Sequence, residues 1–221
     1  MIFKIRQLIF YNFALMKKVY LDNASTTAMR PEVVQEMTKI MSEDFGNPSS
    51  THSFGRNAKT ILELSRKTIA KYLNCSAQEI LFTSGGTEAD NWILRSAVED
   101  LKIERIITSR IEHHAVLYTV LALQSDYNIQ VDYVNVNTDG SIDLTHLSNL
   151  LSDEKKTIVS LMHVNNETGT VLDLERAGVI CKQYNALFHS DTVQSVGKTE
   201  IDLQKTPVDF ILASAHKFHG P

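Results

Sequence analysis

The chain has 221 residues, 43% hydrophobic and 22% charged, the balance of a soluble globular protein with length for one large core. Its net charge of −4 offers no basic field to nucleic acid or to an anionic membrane. Cys75 and Cys181 stand far apart, with neither CxxC nor metal-ligand spacing, which fits a reduced, cytoplasmic setting and no metal site.

Residues 1–15 read MIFKIRQLIFYNFAL, too short to span a bilayer and without a small-residue cleavage site. A more natural beginning follows at Met16-Lys17-Lys18-Val19-Tyr20-Leu21-Asp22. Residues 1–16 are therefore expected to be an extension upstream of the true start, with an amphipathic anchor helix as the alternative. A helix is predicted over 31–43, with Pro31 in its first turn. A loop rich in Gly, Asn, Pro and Ser leads to a long amphipathic helix over 55–73. From there strands and helices alternate. Strands are expected over 79–83, 105–108, 129–134, 157–162, 186–189 and 208–213. Helices are expected over 87–101, 114–125, 144–151 and 174–184. Crossovers of this length specify an α/β fold, three layers around a mostly parallel sheet. Ligands in such sheets bind beyond the carboxyl ends of the strands.

Four polar motifs fall at those ends. In Thr83-Ser84-Gly85-Gly86-Thr87-Glu88-Ala89-Asp90-Asn91, two glycines allow close backbone approach before a helix expected to open on Thr87. Free amides and the helix dipole there favour a phosphate, with Glu88 and Asp90 supporting the helix start. The plainer reading is a turn capped by threonine. His113 and His114 sit at a strand-to-helix junction; adjacent helical residues diverge, so one shared metal is disfavoured and a ring stacked on an aromatic cofactor fits better. His163-Val164-Asn165-Asn166-Glu167 bunches amides at a strand end, for a ring hydroxyl, a carboxylate or a structural turn. Asp191, in His189-Ser190-Asp191-Thr192-Val193-Gln194, ends a buried strand and needs a partner, either a Lys or Arg or a pyridinium N–H.

The last strand runs into Ser214-Ala215-His216-Lys217-Phe218-His219-Gly220-Pro221. A lysine at a strand mouth is costly to bury unless it is bonded or neutralised. A Schiff base to an aldehyde cofactor, pyridoxal 5'-phosphate (PLP), neutralises it; a solvated turn lysine is the plain alternative.

Taken together and in order, these motifs resemble the cysteine desulfurases of the NifS/IscS type, fold-type I PLP enzymes related to the class V aminotransferases. Tyr20-Leu21-Asp22-Asn23-Ala24-Ser25-Thr26-Thr27 is similar to that family's YLDNAATT, and Phe45-Gly46-Asn47-Pro48-Ser49-Ser50 to its FGNPSS. SGGTEADN, EHHAV, HVNNETG, Gln194-Ser195-Val196-Gly197 and SAHKFHGP also match. Ser25 and Ala28 depart from the family's usual alanine and proline.

The resemblance implies a homodimer that removes sulfur from L-cysteine, giving L-alanine and an enzyme persulfide passed to a sulfur acceptor or iron–sulfur scaffold. It implies Lys217 as the Schiff-base lysine and His113 as the stacking, proton-moving ring. Asp191 would pair with the pyridine nitrogen, and Gln194 would bond the phenolic oxygen. Gly86, Thr87, Ser214 and His216 would hold the phosphate, with Asn166 near the phenolic oxygen or the substrate carboxylate. The family's persulfide cysteine, substrate-binding arginine and small domain follow the lysine. Residues 17–221 are thus expected to be the PLP-binding large domain, cut short, with the small C-terminal domain absent. Cys75 and Cys181 match no persulfide position and read as structural. The 221 residues alone are expected to be inactive. The alternatives are a sister class V enzyme (selenocysteine lyase, aminotransferase or epimerase) or a truncated fragment or scaffold.

Overall fold

Strand segments that are apolar on both faces belong inside a parallel sheet covered by helices on either side. The computed structural model, which describes residues 17–153 and 155–221, shows this arrangement. The expected extension over residues 1–16 lies outside the described residues. Five strands, β1 (Arg105–Thr108), β2 (Gln130–Tyr133), β3 (Thr157–Ser160), β4 (Leu187–Asp191) and β5 (Phe210–Leu212), form a sheet of order β2-β1-β3-β4-β5. Every pairing is parallel.

Six α-helices accompany the sheet among the described residues: α1 (Pro31–Glu43), α2 (Ser53–Leu73), α3 (Gly86–Glu99), α4 (His114–Tyr127), α5 (Leu144–Leu150) and α6 (Leu174–Gln183). Strand alternation divides the core in two. Ile106 and Ile158 pack against Leu94 and Val98 of α3 and Val116, Val120 and Leu123 of α4. Ile107, Val159 and Phe188 point the other way, onto Leu147 of α5 and Leu174, Ala177 and Cys181 of α6. The result is the predicted three-layer α/β/α architecture.

The helix over 31–43 and the strand over 105–108 agree with prediction residue for residue. Helix α2 starts at Ser53, two residues early, because His52 Nδ1 accepts from Gly55 N at 3.4 Å and caps it. It stops where Asn74 turns left-handed, at φ 54°.

The strand predicted over 79–83 is absent. Glu79 instead closes a capping box on a 3-10 turn, Ala77–Glu79, its carboxylate accepting from Ser76 N at 2.6 Å. Ile80 is extended, but Ile80 to Thr83 joins no strand among the described residues. A β-like sequence makes a ladder only where a neighbour supplies one. Here the guanidinium of Arg66 takes that place, bonding Ile80 O and lying 4.8 Å above the Phe82 ring. Among the described residues, no helix is long and apolar enough to cross a membrane.

Candidate active site

Four of the five strands deliver polar residues to one end of the sheet, where a cavity of about 540 Å³ opens. That size falls within the range of small-molecule sites. All nine residues singled out from the sequence line it: Gly86, Thr87, His113, Asn166, Asp191, Gln194, Ser214, His216 and Lys217.

Lys217 is carried by a 3-10 turn, Ala215–Lys217, that follows β5. Its Nζ donates to Ala24 O at 2.5 Å. Burial, and then Lys198, lower its pKa, while Asp22 and Asp191 pull the other way. A lowered pKa leaves more of the free amine, the nucleophilic form. The turn is strapped from the N-terminal side. Thr27 N and Thr27 Oγ1 each donate to His216 O at 2.8 Å, and His219 N donates to Thr27 Oγ1 at 2.7 Å. Composition and periodicity gave no sign of this strap, which brings Asp22, Ala24 and Ser25 to the cavity wall.

Asp191 ends β4 and is 6% exposed. Val193 N donates to its Oδ1 at 2.9 Å, and among the described residues no donor bonds its other oxygen. Burial pushes its pKa up, while the Val193 amide, His113 and Lys217 pull it back. His113 caps α4, its Nδ1 accepting from Ala115 N at 3.2 Å, which places the neutral ring's proton on Nε2. Gln194 Nε2 donates to Ala24 O at 2.7 Å, and its Oε1 accepts from Lys198 Nζ at 3.2 Å. Asn166 Nδ2 donates to Glu167 Oε1 at 2.8 Å.

The start of α3 departs from expectation. Gly85 is the N-cap and the helix begins at Gly86, so Thr87 is one residue inside and makes no cap bond. No side chain caps this end, which leaves first-turn amides open toward the cavity. A Cβ on Gly86 would meet Val193 Cγ2 at 3.0 Å, so the backbone there is close against the sheet. Ser214 makes no cap bond either, and His216 Nδ1 lies 3.2 Å from Thr26 Oγ1.

Asp90 is the residue whose place the sequence reading missed. It does not support the helix start but lies a turn inside α3, 1% exposed, on the cavity wall. The signal was present: it precedes buried Leu94 by four residues and so shares the inward stripe. Neither cysteine lines the cavity. Burial and Asp209 push the Cys181 thiol up to about 12, and burial raises Cys75, so both are poor nucleophiles. Among the described residues no three His, Cys, Asp or Glu side chains gather as metal ligands.

Comparison with known proteins gives this geometry a context. The chain is 42% identical over 207 residues to cysteine desulfurase IscS of Clostridium botulinum, covering 93% of this chain and 52% of that protein. It is 44% identical over 208 residues to a cysteine desulfurase of Cereibacter sphaeroides, covering 93% of this chain and 54% of that protein. It thus spans about half the length of the curated relatives it matches. Among solved structures, a NifS-like protein superposes with a TM-score of 0.89 at 42% identity, over 93% of this chain and 57% of that one. SspA in complex with cysteine superposes with a TM-score of 0.88 at 30% identity, over 92% of this chain and 59% of that one. The family model described as aminotransferase class-V matches residues 19–221, from the strap that holds the lysine turn to the turn itself, and the chain belongs to that family.

Proposed function

We propose that residues 17–221 form the PLP-binding domain of a cysteine desulfurase, which takes sulfur from L-cysteine to give L-alanine and an enzyme persulfide. One observation carries the reading: Lys217, Asp191 and His113 meet in one cavity with an uncapped helix start. The relatives named cysteine desulfurase and the neighbour bound to cysteine support the substrate class.

The residues fit PLP on structural grounds. Asp191, 6% exposed on the cavity wall, has a carboxylate oxygen that no described donor bonds, and a pyridinium N–H is a partner of the right charge. Gly86 and Thr87 offer backbone amides to a phosphate, with Ser214 and His216 beside them. When bound, PLP supplies an aldehyde for an amine and a ring that stabilises a carbanion next to nitrogen. Lys217 brings the amine and, once free, a base at the same place. Asp191 holds negative charge at the cavity floor. His113 places a ring and an Nε2 proton at the wall. Gln194 and Asn166 bring amides to the ring hydroxyl or the substrate carboxylate. The reading includes a second protomer, a small domain bearing the persulfide cysteine and a substrate-binding arginine, a sulfur acceptor or iron–sulfur scaffold, and a cytoplasmic setting.

Incubation of the PLP-loaded whole protein with L-cysteine is expected to give L-alanine and protein-bound persulfide in equal amounts. Turnover of selenocysteine alone, or amino transfer to a keto acid, would replace this reading with another class V activity. The phosphate cradle has its own test. In Gly86→Val the branched side chain meets Val193 and fills the approach to the helix amides. PLP affinity is expected to fall by about 100-fold or more, roughly one to two hydrogen bonds to a charged group. The melting temperature of the PLP-free protein should move much less. A large stability loss with intact affinity would make this turn a structural element only.

A further inference from the structure

Behind Asp191 lies a second layer of buried polar groups that the proposed chemistry does not use. Thr108 and Ser160, the last residues of β1 and β3, stand in register with His189 in the middle of β4, each no more than 1% exposed. His189 Nδ1 lies 2.9 Å from Ser160 Oγ. On its other side, His189 Nε2 faces Asp90 Oδ1 of α3 at 3.5 Å. Neither Nε2 nor Oδ1 has any other partner, and both are sealed from water. A third buried carboxyl, Glu112, is satisfied differently: Ser109 Oγ donates to Oε1 at 2.5 Å and Met162 N to Oε2 at 2.8 Å.

Two bare acceptors facing each other across 3.5 Å would be a doubly unsatisfied pair, and burial makes that arrangement costly. One proton in the gap resolves it. Three protonation patterns put a proton there: a neutral acid with a neutral ring, a carboxylate with an imidazolium, or a carboxylate accepting from the Nε2–H of a neutral ring whose Nδ1 accepts from Ser160 Oγ. Full burial disfavours both carboxylate patterns, the first as a desolvated ion pair and the second as a buried charge with no counter-ion. Burial above all, and then the neighbouring carboxyls of Asp191 and Glu112, raise the Asp90 pKa to about 9. Burial lowers His189 to about 3.

We propose that Asp90 is a positioning residue that carries a proton on Oδ1, donates it to His189 Nε2, and stands as a neutral acid behind Asp191. The ring then donates through Nδ1–H to Ser160 Oγ. Asp191 is left as the anion that the ring nitrogen needs, without a second carboxylate competing for the same proton. Burial also pushes Glu112 up, to about 8, against the bonds from Ser109 and Met162 that favour its carboxylate. The functional meaning of this arrangement rests on the PLP reading of the cavity; the protonation state does not.

The test exploits the difference between the two aspartates. In Asp90→Asn, the amide Nδ2 donates to His189 Nε2 as the acid proton does, with the same shape. PLP affinity and kcat of the whole protein are expected to stay within about threefold of the parent. In the PLP-free protein at neutral pH, the infrared difference between parent and Asp90→Asn should contain a protonated-carboxyl C=O stretch. Carboxylate stretches alone in that difference would overturn the proposal, as would a kcat loss of tenfold or more in Asp90→Asn. The infrared measurement needs no cofactor. Should the PLP reading fail, its failure shows in covalent capture at Lys217 while the infrared band is still present.

Discussion

Lys217→Ala is expected to abolish covalent capture of PLP. Reduction of the loaded parent with borohydride should add one pyridoxyl group to the chain, at a single peptide containing Lys217. The variant should add none, because Lys217 Nζ is the amine at the cavity wall between Ala24 O and Asp191. Turnover should fall to background, since neither the amine nor the base that follows from it remains. Binding of PLP should survive in weakened form, held by Asp191 and the open end of α3. Stability should change little, by about 1 kcal/mol or less, because the hydrogen bond to Ala24 O is an exposed one. Lys198 is the necessary control, because it reaches Gln194 on the same wall. Lys198→Ala should keep full capture. Label on any residue other than Lys217 in the loaded parent would remove this lysine from the site.

The architecture was legible because the physics behind it is local. A parallel sheet needs segments apolar on both faces, and Ile106, Ile107, Ile158 and Val159 announce that directly. Helix bounds were legible where a cap or proline marks them, as at Pro31. They slipped where the cap was unforeseen, as at His52 and Gly85. The segment Ile80–Leu81–Phe82–Thr83 shows the limit of such reading. Its composition is strand-like, yet a strand is a relation between two segments, and Leu81 and Phe82 remain 65% and 48% exposed. No property of the four residues alone could reveal that Arg66 rather than a strand would hold them.

The site was legible to a different depth. Residues at a strand end, such as Asp191, or in the turn just beyond one, such as Lys217, declare themselves because a polar group following an apolar run must have a reason. Gln194 was assigned by resemblance, as were the particular roles of Asn166 and Thr87 within their motifs, and the structure brings all three to the same cavity. What sequence could not show are contacts across long separations. Ala24 O meets Lys217 Nζ and Gln194 Nε2 across 193 and 170 residues, and nothing in the strap's composition marks it as a lid over a lysine. Asp90 was misread for another reason. Acidic residues early in a helix are usually dipole partners, and that habit hid its position on the buried stripe.

Asp191→Asn is expected to leave the fold intact and to cost two orders of magnitude or more in kcat, about 3 kcal/mol at 1.36 kcal/mol per decade. Asparagine retains Oδ1, so the bond from Val193 N persists and the loop after β4 keeps its course. What disappears is the negative charge opposite the ring nitrogen, and with it the preference for a protonated ring. The PLP-free protein provides an independent reading of the same charge. Burial raises the pKa of Asp191 in the fold, so the ionised form is disfavoured there relative to the unfolded chain. Its contribution to stability is fully present below the unfolded carboxyl range, near ~4, and is lost as pH rises through the higher folded value. Asparagine has no such loss. The PLP-free variant should therefore melt higher than the parent at pH 7, and the gap should close as pH falls toward ~4. The sign reverses once PLP is bound, because the parent then gains an ion pair that the variant lacks. Melting curves with and without PLP at the two pH values, alongside kcat, decide the matter. Unchanged turnover, or a variant that melts lower than the parent without PLP at pH 7, would show that the carboxylate at the end of β4 serves the fold and not the chemistry.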